Sequence, residues 1–106
     1  MKINYIFRYH NSSELIYSGS KEDFETKIEE KMDVLADQTK IKINNITFDF
    51  DYNPSHESKY SLEVILGSPD IDFTHTEEDK DPQAMLHKSL DAVLRFVRKE
   101  KEKRSK

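Results

Sequence analysis

Two carboxylates in the segment TFDFDY are spaced as a paired acid and base could be. Asp49 and Asp51 alternate with Phe48 and Phe50, so on a strand both carboxylates would lie on one face, about 7 Å apart. That separation could suit paired acid and base chemistry. The same alternation is typical of the solvated outer face of a sheet. We interpret the pair as surface residues and the protein as a non-enzyme.

A second acidic group lies in HTEEDKD, residues 75–81, which we interpret as a loop. Its carboxylates and His75 are metal-ligating residue types, but their spacing matches no EF-hand or zinc pattern. Asp81 precedes Pro82 and is expected to cap a helix instead. The chain has no cysteine, which excludes thiolate nucleophiles and disulfides, and no histidine stands at a recognisable spacing from a serine nucleophile. We predict no metal and no other cofactor.

The C-terminal segment LRFVRKEKEKRSK, residues 94–106, is strongly basic. From Arg95 onward seven Lys or Arg stand against two Glu, a balance of +5, whereas residues 1–94 have a balance of −9. Cations are favoured near a helix C-terminus, and charged runs are often solvated tails. A protruding basic helix could also bind phosphates and release counterions from nucleic acid. Because the rest of the chain is acidic, we expect binding to generic nucleic acid to be weak and strongly salt-dependent.

Six elements must position these residues. Period-two alternation predicts strands and helical spacing predicts helices. The predicted elements are a strand at 2–9, a helix at 21–37, strands at 43–52 and 59–66, a short strand that starts at 71–75, and a helix at 82–103. The last helix would be roughly 33 Å long. Its apolar stripe stops near Val97, so its basic end should project.

The order β-α-β-β-β-α predicts an α+β domain of two layers, a four-stranded mixed sheet with both helices packed on one face. The first helix is a crossover, so strands one and two should be parallel and the others antiparallel. The length favours a single domain over 1–106, with residues 98–106 as a projecting basic helix end or tail. No segment is predicted to be a signal peptide or membrane span, and we expect a soluble, cytoplasmic protein.

The last helix, DPQAMLHKSLDAVLRFVRKEKEK, resembles that of the ribosome hibernation-promoting factors, the family of the ribosome-associated translation inhibitors. Their last helix typically reads Asp-x-Tyr-Ala-Ala-Ile-Asp, followed by a Lys-Leu-x-Arg-Gln-Leu-x-Lys-x-Lys tail. The positions that correspond here are Asp81, Ala84, Leu86, Asp91, Val93, Arg95, Val97, Lys99 and Lys101. In the first helix, EEKMDVL is similar to the family's Glu-Lys-Leu-x-x-Leu, which puts Lys31 at its lysine. Without the extra C-terminal dimerisation domain of the long form, the chain resembles a short form.

This resemblance implies a factor that binds the small ribosomal subunit in the mRNA and tRNA channel and inhibits translation or promotes hibernation under stress. It would contact the 16S rRNA and block the channel sterically, with no small-molecule substrate. The family pattern assigns the rRNA contacts to Lys31, Arg95, Lys99 and Lys101. The charge of the tail adds Arg98, Lys103 and Arg104.

Several positions depart from the family pattern. Gln83 stands in place of Tyr, His87 in place of Asp, and Ala92 in place of Lys, and residues 10–19 look like an insertion. The first helix and the sheet are acidic where family members carry more cations. The alternative is therefore a protein-interaction domain of the same fold, whose acidic faces dock a basic protein and whose rRNA binding is weakened or lost.

Overall fold

The computed structural model describes residues 2–9, 21–38, 42–69 and 71–104, and the structural statements below concern these residues. Their elements are β1 (Lys2–Tyr9), α1 (Lys21–Gln38), β2 (Asn45–Tyr52), β3 (Tyr60–Gly67), β4 (Phe73–Asp79) and α2 (Pro82–Arg104). The predicted order β-α-β-β-β-α is confirmed. The expected insertion at 10–19 lies outside the described residues.

The four strands form one mixed sheet in the order β1-β2-β3-β4. β1 and β2 are parallel, and the other two pairs are antiparallel, as the crossover through α1 requires. The register places Phe7 beside Phe50 and Phe50 beside Leu62. Since alternate residues of a strand share a face, the apolar side chains of neighbouring strands line up on one face and the polar ones on the other.

The apolar face of the sheet and the apolar sides of both helices enclose one core. α1 contributes Ile28, Met32 and Leu35, and the central strands contribute alternate side chains such as Phe48 and Phe50, which are fully buried. From α2, the buried apolar side chains are Met85, Leu86, Leu90, Val93 and Val97. Burying one such side chain stabilises a fold by about 1.5–3 kcal/mol. The two-layer α+β architecture is therefore confirmed.

β4 is longer than the sequence pattern predicted, and HTEEDKD is not the expected loop. The strand pairs with β3 from Phe73 beside Leu66 to Asp79 beside Tyr60. Asp and Glu are depleted in strands, so the segment lacks the usual strand composition. Hydrogen bonding to an internal strand overrides that preference here.

Asp81 caps α2, as its position before Pro82 predicts. Its side-chain oxygen accepts from the Gln83 amide at 3.0 Å, and its carbonyl accepts from the Met85 amide at 3.0 Å. The first contact satisfies an amide of the first turn that has no partner within the helix, and the second is the first backbone hydrogen bond of the helix itself. The cap fixes where α2 leaves the sheet, and therefore where its basic end lies.

Among the described ranges, neither helix has the length and apolar character that a membrane crossing requires.

Candidate nucleic-acid interface

α2 is fixed on β4 along its first two thirds. The Lys88 ammonium lies 2.9 Å from the Asp79 carboxylate, and the ring centroids of Phe96 and Phe73 are 4.5 Å apart. Val97 is the last buried side chain of the helix. Residues 98–104 then extend α2 by about 10 Å. The molecule measures 48 Å along its longest axis against 23 and 21 Å along the others.

The basic side chains of this part of α2 are exposed to solvent. The exposed ones whose side chains the structure describes are Arg95, Arg98, Lys99, Lys101 and Lys103. Arg104 is the last residue of the helix. Because residues three and four apart are neighbours on a helix surface, Arg95, Arg98 and Lys99 form a contiguous group. We refer to these three residues as the basic triad.

The exposed cations of α2 differ in whether they form ion pairs within the molecule. Lys103 lies 3.5 Å from Glu100 in an exposed pair, which contributes little to stability. No residue of the basic triad forms an ion pair with another described residue. Their charges are therefore available to an anionic ligand, and guanidinium and ammonium groups are the usual protein partners of phosphate.

Lys31 is exposed on α1 but lies apart from the basic triad. One turn before it, the Lys27 ammonium donates to the Gln83 side-chain oxygen at 2.8 Å, which places this part of α1 beside the start of α2. Both helices run opposite to β2, so they are parallel to each other. Lys31 and Arg95 are therefore about 12 Å apart along the helix axes. The C-terminal cations of α2 therefore lie on one surface, and Lys31 does not belong to it.

Two further cations face this side of the molecule and are not among those predicted from the sequence. Lys88 precedes Arg95 by seven residues and so lies in line with it along α2. Lys27 precedes Lys31 by four residues on α1. These spacings could have identified both lysines. However, both are engaged within the fold, Lys88 by Asp79 and Lys27 by Gln83.

The outer face of the sheet, which carries no helix, is acidic. Asp49 and Asp51 lie on it, as interpreted from their alternation, together with Glu63 and Glu78 on the neighbouring strands. Arg8 of β1 lies among them, and its Nε donates to both oxygens of Asp49 at 2.9 and 3.2 Å. The ion pair with Asp49 raises the pKa of Arg8. This face would repel a phosphate backbone, so it and the basic triad suit ligands of opposite charge.

His75 lies on the inner face of β4. Its Nε2 is 2.8 Å from the Glu77 carboxylate, and its ring stacks on Phe73 with centroids 6.1 Å apart. Glu77 and Glu78 point to opposite faces because they are adjacent in a strand. No group of three or more possible metal ligands occurs within the described ranges.

The fold is similar to one seen in a crystal structure, that of the Thermus thermophilus Protein Y N-terminal domain. The likeness covers 93% of this chain and 98% of that chain, with a TM-score of 0.65 and 17% sequence identity. The two chains share one fold. No protein-family model and no curated protein matches the sequence. At this identity the likeness establishes the architecture alone.

Proposed function

We propose that this protein is a ribosome-binding factor that occupies the mRNA and tRNA channel of the small subunit and contacts 16S rRNA through the end of α2. It would act in the cytoplasm by inhibiting translation or promoting ribosome hibernation under stress. The observation that carries the proposal is the exposed basic triad near the C-terminal end of α2. The sequence resemblance of that helix to the hibernation-promoting factors supplies the target. The observed fold is the one that this resemblance implied.

The mechanism is steric occlusion held by phosphate contacts. Each phosphate neutralised by a cation releases counterions and steepens the salt dependence of binding. If the basic triad alone, or all five exposed cations, contact phosphates, the affinity should fall about 40- to 500-fold between ~50 and ~200 mM salt. No group in this surface needs to do covalent chemistry.

The charge distribution also predicts how the domain is oriented on rRNA. Asp49, Asp51, Glu63 and Glu78 lie on the face of the sheet opposite the helices, so that face should point away from the phosphates. On α1, the exposed residues Glu29, Glu30 and Asp33 lie within two positions of Lys31 in the sequence. Their carboxylates reduce the attraction of Lys31 for phosphate. We therefore expect α2 to provide most of the binding energy and Lys31 to add little.

The test is co-sedimentation of the purified protein with 30S subunits and 70S ribosomes between ~50 and ~200 mM salt. The variant replaces the basic triad by Glu (Arg95→Glu, Arg98→Glu and Lys99→Glu). The matched control, Lys2→Glu with Lys59→Glu and Lys80→Glu, makes the same change in net charge at exposed positions elsewhere. Saturable binding to 30S that is lost only in the triad variant supports the proposal. Equal losses in both triple variants would show that net charge, and not the α2 surface, controls binding.

Occupation of the channel needs a second measurement. A factor bound there should compete with mRNA and with P-site tRNA for the 30S subunit. Displacement of labelled mRNA by the wild type, but not by the triad variant, is the expected result. Binding to 30S without displacement would place the factor elsewhere on the subunit.

The alternative function is a protein-interaction domain of the same fold that docks a basic protein. The observation that favours it is the four-carboxylate outer face, which suits cationic side chains. Reversal of Asp51, Glu63 and Glu78 to Lys separates the two functions. This change should leave ribosome binding intact under the first proposal and abolish partner binding under the second.

A further inference from the structure

The two edges of the sheet differ in how they are protected. β1 and β4 each pair with one other described strand, so each presents backbone groups that another strand could pair with. β4 carries Glu77 and Asp79 on its inner face, and the helix covers that face through Phe96 and Lys88. Inward-pointing charges and a covering helix are features by which proteins block edge pairing. β4 is therefore protected against pairing with a strand of another molecule.

β1 also has a helix beside its inner face, where Glu25 and Glu29 of α1 face Tyr5, but it carries no inward-pointing charge. Residues 2–9 contain no proline, no glycine and no carboxylate, and the charges Lys2 and Arg8 stand near the two ends of the strand. A long, regular and apolar edge strand of this kind is a template for another strand. Of the two edges that the sheet has among the described strands, β1 is therefore the better template for a partner.

The side chains of β1 also leave apolar surface uncovered. Phe7 stacks on Phe50 with centroids 4.8 Å apart, and Tyr5 stacks on Phe48 at 6.3 Å. Phe48 and Phe50 are fully buried, but Tyr5 and Phe7 are only partly so. On the other face Ile6 is 39% exposed. An added strand would cover apolar groups on both faces of β1.

We infer that a second copy of this chain covers this edge, with the two β1 strands paired antiparallel about a two-fold axis at Ile6. A two-fold interface places the same surface on both copies, and antiparallel pairing of one strand with itself meets that condition. The result is a continuous eight-stranded sheet. This assembly is independent of the proposed ribosome binding, since it leaves the C-terminal part of α2 exposed.

Like charges exclude one of the possible registers, and the mismatch of an apolar with a charged side chain disfavours another. A centre at Tyr5 would set Lys2 opposite Arg8, and like charges directly opposite are destabilising. A centre at Phe7 would set Ile6 opposite Arg8. A centre at Ile6 instead places Ile6 against Ile6 and Tyr5 against Phe7, with no like charges opposed. Aromatic pairs and β-branched pairs are the cross-strand contacts that stabilise sheets.

The salt dependence of this dimer should be opposite to that of phosphate binding. A single strand pair buries less than the roughly 800 Å² per partner of a standard stable interface, so the dimer should be weak. Each copy has a formal net charge of −4, and the acidic residues Glu25 and Glu29 of α1 face Tyr5. Salt screens this repulsion. Self-association should therefore strengthen with salt while ribosome binding weakens.

Disulfide trapping tests the register directly, because the natural chain has no cysteine. In Ile6→Cys the two sulfurs would face each other across the axis, at a Cα separation of about 4.5–5.5 Å that allows a disulfide. Ile65→Cys is the matched control, since Ile65 is 40% exposed on the same sheet face but on an internal strand. Ile6→Cys should crosslink at least about tenfold faster, because association raises the effective thiol concentration. Equal rates would overturn the inference.

Charge substitution provides the second test. Ile6→Lys and Ile6→Glu should each self-associate less than the wild type in sedimentation at the same salt concentration, because they place like charges opposite each other. An equimolar mixture of the two should regain the dimer, while Ile65→Lys should behave as the wild type does. Circular dichroism checks that each variant is folded. A wild type that stays monomeric at every concentration and salt, or a mixture that does not associate, would refute the pairing at Ile6.

Discussion

Lys88 of α2 donates to the Asp79 carboxylate at 2.9 Å, and this ion pair joins the helix to the end of the edge strand β4. The other oxygen of Asp79 accepts from the Asp81 amide at 2.9 Å. One carboxylate therefore holds both the start of α2 and a residue about two turns further along. The hydrogen bond from Lys88 lowers the pKa of Asp79, and Asp79 in turn raises the pKa of Lys88.

The first prediction concerns the pH dependence of stability. Because the pKa of Asp79 is lower in the folded than in the unfolded chain, its stabilising effect is present above the unfolded pKa and is lost as the pH falls through the folded pKa. Asp79→Asn should lower the melting temperature at pH 7, and the difference from wild type should disappear in acid. Asp72→Asn, at an exposed position, is the control. A difference that persists at pH 2 would assign the effect to packing instead.

The second prediction separates the role of Lys88 from that of Arg95, although the two lie in line on α2. Since Lys88 is neutralised by Asp79, the double variant Lys88→Gln with Asp79→Asn keeps the net charge and should bind 30S subunits as the wild type does, although it unfolds more easily. Arg95→Gln should keep its stability and reduce the slope of log affinity against log salt by about 0.9. The measurement is the 30S dissociation constant in a salt series. An equal loss of slope in both variants would place Lys88 in the interface.

Local patterns were sufficient to predict most of the fold. The alternation at 2–9 and the helical spacing of Ile28, Met32 and Leu35 reflect which side chains reach the core, and burial is the main determinant of that pattern. The length of β4 was not predictable in this way, because its charged residues are held by backbone pairing with β3. A strand that is held by backbone hydrogen bonds alone cannot be recognised from the hydropathy of its side chains.

Only those residues of the candidate site that are close together in the sequence could be predicted to form one surface. Arg95, Arg98 and Lys99 are close in sequence and lie on one helix, so their proximity follows from helix geometry. The distance of Lys31 from them depends on how α1 packs beside α2 around the shared core, and the contact of Lys27 with Gln83 reflects that packing. Pairs of this kind are far apart in sequence and carry no local signal.

The third prediction concerns the positive φ of Lys59, which is 62°. Lys59 ends the turn between β2 and β3, where its carbonyl accepts from the Asn53 amide at 2.8 Å. The left-handed conformation costs a residue with a Cβ roughly 1–2 kcal/mol. Lys59→Gly should therefore raise the free energy of unfolding in urea by about 0.5–1 kcal/mol, after the larger backbone entropy of glycine is subtracted. Lys59→Ala retains the Cβ and should show no gain, and an equal gain in both variants would indicate that the lysine charge is responsible.

The last prediction concerns Tyr5, which lies on β1 next to α1. Burial raises its pKa to about 12, and the carboxylates of Glu29 and Glu25 add to the effect by repelling the phenolate. Because the unfolded value is near 10, the stabilising effect is complete below pH 10 and is lost as the pH rises towards 12. Tyr5→Phe should therefore lose less stability than the wild type over this interval, as measured by thermal unfolding.

Glu29→Gln tests the source of that shift. It should lower the pKa of Tyr5 only part of the way towards 10, since burial is the larger cause. Asp33→Asn, one turn further along α1, is the matched control and should leave the titration of Tyr5 unchanged. Absorbance of the phenolate, taken as the difference between each protein and its Tyr5→Phe counterpart, isolates this residue. A complete return to 10 in Glu29→Gln would show that the carboxylate, and not burial, keeps the phenol neutral.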